Sequence, residues 1–97
     1  MNVAKLLQQA QRAQAEMQRA LTSLEAEGSA GGGLVRIRLN GLKELKGVHI
    51  DAQALVGETA SLVEDLVVAA WEDATRRIDE SSRDVLAKAG LPPGLGI

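Results

Sequence analysis

Apolar residues recur near the start of the chain at alternating steps of three and four: Val3, Leu6, Ala10, Ala13, Met17, Ala20 and Leu24. That spacing keeps one face of an α-helix apolar over successive heptads. Leu7 and Leu21 widen the seam, and the intervening positions are mostly Gln, Arg, Lys and Glu, which are good helix formers. The pattern predicts a first helix over residues 1–26.

The period then changes from helical to alternating. Val35, Ile37 and Leu39 are interleaved with Arg36, Arg38 and Asn40, which predicts a half-buried strand with a basic outer face. Asn40-Gly41 is a turn signal, and Leu45 to Asp51 reads as a second strand with Val48 and Ile50 on one face and His49 on the other. Glu25 to Ala30 is placed to pair back onto the Leu34 strand, with Gly31, Gly32 and Gly33 as the turn. A phosphate-cradling loop would need these glycines to lead into a helix, and they lead into a strand. A hairpin turn needs positive φ, which Gly supplies without steric cost.

Helical spacing returns over residues 58–89. Val63, Leu66, Val67, Ala70, Ala74, Ile78, Val85 and Leu86 form a stripe with Trp71 beside it. Gly57 precedes this segment, while Gly90, Pro92 and Pro93 mark its end and open a tail over residues 90–97. Early acids and late bases suit the helix dipole. The fold class expected is therefore α+β: two long helices flanking a small antiparallel sheet built from residues 27–57.

Composition narrows the picture. The 97 residues suit one domain, and a single Trp with no Phe or Tyr implies a thin core. Candidate core or dimer residues are Val35, Ile37, Leu39, Val48, Ile50, Leu66, Ala70 and Trp71. A sheet of two or three strands needs further cover, so a homodimer with protruding helical arms is expected. There is no cysteine, which excludes disulfides and thiolate metal sites. The N-terminal MNVAKLLQQAQRAQAEMQ has no long apolar stretch, so neither a signal peptide nor a membrane span is expected, and the cytoplasm is the expected location.

Net charge is −2, but its distribution is uneven. Residues 1–24 carry Lys5, Arg12 and Arg19 against Glu16, and residues 58–73 carry five acids and no base. Arg76, Arg77, Arg83 and Lys88 follow. If the helices run antiparallel, Lys5 and Arg12 are expected near Arg83 and Lys88 at one tip. Lys5, Arg12 and Arg19 are spaced by seven and so share one helix face. Such a stripe is either solubilising charge beside a coiled-coil seam or a row of phosphate contacts. Arg76, Arg77 and Arg83 also suit the C-terminal end of a helix dipole.

Catalysis finds little support. His49 is the one histidine, Ser81-Ser82 has no base at a predictable distance, and Glu64-Asp65 and Glu72-Asp73 are adjacent acids that diverge on a helix. No metal-ligand spacing occurs, so no enzyme activity, cofactor or small-molecule substrate is expected. Without aromatic platforms, single-stranded nucleic acid is a poor ligand, leaving duplex DNA held through its backbone.

The segments GGGLVRIRLNG, VHID, EDLVVAAWEDATRRIDE and LPPG, in this order, resemble the YbaB/EbfC family of bacterial nucleoid-associated proteins. The likeness covers essentially the whole chain. It implies an α+β homodimer whose long helices project as tweezer-like arms onto duplex DNA, in the cytoplasm and nucleoid. The double arginine of ATRRIDE matches the family's helix motif at Arg76 and Arg77, and Trp71 stands where the family usually has Phe. The expected DNA contacts are Lys5, Arg12, Arg19, Arg76, Arg77, Arg83 and Lys88, with low sequence specificity and a compacting or bridging effect. The alternative is a homodimeric coiled-coil module that recruits proteins and binds little or no DNA.

Overall fold

A computed structural model describes residues 2–88. The order is α1 (Val3–Ser23), β1 (Glu25–Ala30), β2 (Val35–Asn40), β3 (Leu45–Ile50) and α2 (Ala60–Lys88). The three strands form one antiparallel sheet in sequence order, β1-β2-β3. This is the expected α+β architecture, including the return of Glu25–Ala30 onto β2. Gly31, Gly32 and Gly33 make the β1–β2 turn at φ of 65°, 71° and 98°, a region closed to most side chains.

The core lies between one face of the sheet and α2. Val35, Ile37 and Leu39 of β2 are buried against Ala70, Ala74 and Ile78 of α2. Small residues let helix and sheet approach closely: Gly28 of β1 faces Ala70 and Ala74, and a Cβ there would collide with the α2 backbone. The buried residues Ala70, Ala74, Ile78, Ser82 and Leu86 recur every four positions. A helix turns about 100° per residue, so each four-residue step rotates this stripe by roughly 40°. The stripe therefore faces the sheet in the middle of α2 and turns away from it in the last turns, where Ser82 and Leu86 are buried beyond the strands.

Helix α1 meets this body only at its C-terminal end. Leu21 is buried and Met17 half-buried, but every residue from Asn2 to Glu16 is exposed. The molecule extends 69 × 18 × 16 Å with a radius of gyration of 18.2 Å. A compact chain of this length has a radius near 13 Å, so the extension is that of an arm. Asn2 caps the arm's free end, its side chain accepting from the Lys5 N–H at 3.2 Å.

Several sequence expectations need correction. The first helix ends at Ser23 rather than Ala26, because Leu24 is extended at ψ 130° and Glu25 already pairs with Asn40. The second begins at Ala60, with Thr59 accepting from the Leu62 N–H at 3.2 Å. Glu58 thus precedes the helix, and the first turn carries none of the acids expected for the dipole. Asn40-Gly41 does make a turn, but the positive φ (63°) falls on Lys43. Gly41 is small for another reason: its N–H donates to the Leu21 carbonyl at 2.8 Å, and a Cβ would strike that carbonyl. Ala89, Gly90, Pro92 and Pro93, and the predicted tail, lie outside the described residues.

Candidate nucleic-acid interface

The seven expected cations fall into two groups. Lys5, Arg12 and Arg19 lie on α1, all exposed, and none has a carboxylate partner among the described residues. Steps of seven advance a helix by nearly two whole turns, so the three charges form one stripe. Lys5 and Arg19 are separated by roughly 21 Å at 1.5 Å per residue. That is close to two thirds of a duplex turn of about 34 Å.

The second group lies on α2. Arg76 and Arg77 converge on Asp73, Arg77 Nε donating at 3.0 Å and Arg76 Nη2 closing a short contact to the other carboxylate oxygen. Asp73 also accepts the Ser29 backbone N–H at 2.9 Å. That hydrogen bond, with the one from Arg77 and the two positive charges, holds the Asp73 carboxyl below the ordinary carboxylate value despite partial burial. Both arginines nonetheless remain mostly exposed, at 66% and 58% of their side-chain surface, so their outer donors stay open to solvent. Arg83 and Lys88 are exposed further along α2 and have no ion pair among the described residues.

Within a single chain Lys5 is not drawn to one tip with Arg83 and Lys88. α1 overlaps α2 only through its last turns, so Lys5, sixteen residues before Leu21, lies roughly 24 Å further out. Of the acids of residues 58–73, Asp73 is the one held against a strand, through the Ser29 N–H of β1.

The candidate core residues also divide. Val35, Ile37, Leu39 and Ala70 are fully buried or nearly so, and Leu66 packs at the margin of the core. Val48, Ile50 and Trp71 remain 50%, 41% and 41% exposed. The register explains the first two. Ile50 and Val48 sit directly opposite Val35 and Ile37, hence on the face that α2 covers, but α2 lies over β1 and β2. Trp71, Thr75 and Asp79 line a groove on α2. Asp79 bridges to Lys43 in the β2–β3 turn at 3.1 Å, which places that side of α2 towards β3. Sequence reasoning passed over Asp73 as one of two adjacent acids. The signal was its spacing of three and four from Arg76 and Arg77.

The family model of the YbaB/EbfC DNA-binding family matches residues 1–91. The chain belongs to that family. Among its YbaB/EbfC relatives, a nucleoid-associated protein of Xanthomonas euvesicatoria pv. vesicatoria is 46% identical, over 97% of this chain and 93% of its own length. One of Xylella fastidiosa is 43% identical, over 96% and 92%. The fold is also that of an uncharacterized protein from Helicobacter pylori, whose crystal structure superposes with a TM-score of 0.71 at 20% identity, covering 92% of this chain and 97% of that one. Among the described residues of this YbaB/EbfC protein, no cluster of His, Cys, Asp and Glu is placed to hold a metal ion, and no helix is long and apolar enough to cross a membrane.

Proposed function

We propose that this protein binds duplex DNA in the bacterial nucleoid as a homodimer, gripping phosphates with basic helical arms and reading little sequence. The observation that carries this reading is α1 itself. It projects from the body with three aligned cations, Lys5, Arg12 and Arg19, none of which makes an ion pair among the described residues. Arg76, Arg77, Arg83 and Lys88 would extend the contact along α2. The membership of a DNA-binding family and the names of the nucleoid-associated relatives support the same reading.

Dimerisation is argued from what the single chain leaves uncovered. On the β1 edge Asp73 takes one N–H, that of Ser29. The β3 edge is open, and Leu45, Val48 and Ile50 beside it are exposed. A second copy laid along β3 would bury that strip and Trp71 together. The arms of the two copies would then present two basic stripes to the same duplex.

A coiled-coil module that recruits proteins is the second reading, and the exposure of Val3, Leu6 and Leu7 at 63%, 50% and 59% favours it. Fluorescence anisotropy with a labelled duplex separates the two. Lys5→Ala/Arg12→Ala and Arg76→Ala/Arg77→Ala should each weaken binding and reduce its salt dependence, the log–log slope falling by roughly 0.9 for each phosphate no longer neutralised. Unchanged binding in both variants would exclude the arms as the DNA-binding surface.

A further inference from the structure

Asn40 and Gly41 lie at the end of β2, where α1 joins the body. Asn40 is fully buried. Its Oδ1 accepts the N–H groups of Leu42 at 3.0 Å and Glu44 at 2.9 Å, and its Nδ2 donates to Glu44 Oε1 at 2.8 Å. The Gly41 N–H is held by α1. It donates to the Leu21 carbonyl at 2.8 Å and to that of Leu24, the residue that caps α1, at 3.0 Å.

The same two residues are reactive as a pair. An asparagine side-chain amide is open to attack by the backbone nitrogen of the next residue, and glycine, lacking a Cβ, shields that nitrogen least. The Gly41 nitrogen, giving its proton to water or hydroxide, bonds to Asn40 Cγ, and ammonia leaves. Water then opens the resulting five-membered imide at either carbonyl, giving aspartate or isoaspartate at position 40. Both reacting groups are occupied in the fold. Attack needs the Gly41 nitrogen free of two α1 carbonyls and the Asn40 side chain free of Leu42 and Glu44. Asn2, the other asparagine, precedes the β-branched Val3, which crowds its nitrogen.

We propose that Asn40-Gly41 is a deamidation site that docked α1 holds closed, and that its conversion releases α1 irreversibly. The product cannot rebuild the joint. A carboxylate at position 40 sets an anionic oxygen against the Glu44 carboxylate, where Nδ2 now donates, in a fully buried place. Isoaspartate also routes the main chain through the side-chain carbons, which breaks the pairing of this residue with Glu25. The inference is independent of what the arm binds.

The test uses the full chain in warm, mildly alkaline buffer. Peptide mass spectrometry follows conversion at residue 40, with Asn2 as the internal control. Conversion should be roughly tenfold or more slower in the folded protein than in guanidinium, because it waits on a local opening. Equal rates overturn the proposal. Leu21→Ala removes the buried side chain that seats α1 and leaves the carbonyl acceptor in place, so conversion should speed up roughly tenfold or more. Gly28→Ala destabilises the fold away from this joint. For an equal loss of urea midpoint it should speed conversion less, and equal acceleration overturns the role of α1. Hydrogen exchange of the Gly41 amide needs no variant: its protection should match the slowing of conversion, and an unprotected amide contradicts the proposal. Asn40→Asp, which reproduces the direct product, should cut that protection roughly tenfold, as the loss of a buried partner implies. Full protection in Asn40→Asp would overturn the release of α1.

Discussion

The Asp73 carboxylate accepts the backbone N–H of Ser29 at 2.9 Å, joining the middle of α2 to the edge strand β1. The same carboxylate gathers Arg76 and Arg77, so one side chain links the fold to two of the expected DNA-binding residues. Its lowered pKa sets the sign of a pH effect. Ionised Asp73 is favoured in the folded state, so its stabilisation is complete above the unfolded value and disappears as pH falls through the lower folded one. Asp73→Asn should therefore melt below wild type near neutral pH, and the gap should narrow as pH falls through and below the ordinary carboxylate range. Circular dichroism melts across that range check this.

Gly28→Ala tests the helix–sheet packing. The added methyl would meet the backbone of Ala70 and Ala74, which cannot rotate away as a side chain can. Overpacking of this kind costs about 1–3 kcal/mol, and more where backbone must move. A urea titration should show a lower midpoint. Gly32→Ala, where no atom lies within 4 Å, is limited to the strain of its positive φ.

The strand order was legible because β2 alternates strictly and three glycines precede it. Helix ends were less legible. Leu24 satisfies the heptad spacing of α1, yet it is the residue at which the chain turns extended, and only the pairing of Glu25 with Asn40 decides this. Gly28 and Gly41 are needed because another backbone approaches, a tertiary fact with no local pattern. The cations could be counted in the sequence, but their compensation could not. Arg38 and Arg36 look alike two residues apart, and the register gives a carboxylate to one alone.

Val48→Lys/Ile50→Lys tests the dimer. Both side chains are about half exposed in the single chain, so charges there cost the monomer little but oppose burial against a second copy. Sedimentation should give a dimer for wild type and a monomer for the variant. Trp71 is the chain's one tryptophan, and its emission should shift to longer wavelength in the variant as it becomes more exposed to water.

If the protein holds DNA through phosphates, wild-type binding must weaken steeply as salt rises. Binding constants for two duplexes of unrelated sequence, measured from about 50 to 200 mM salt, should fall along the same steep line, by roughly 10³-fold or more if six or more phosphates are neutralised. A flat line, or no binding at the lowest salt, would mean that phosphate contacts do not hold DNA to this protein.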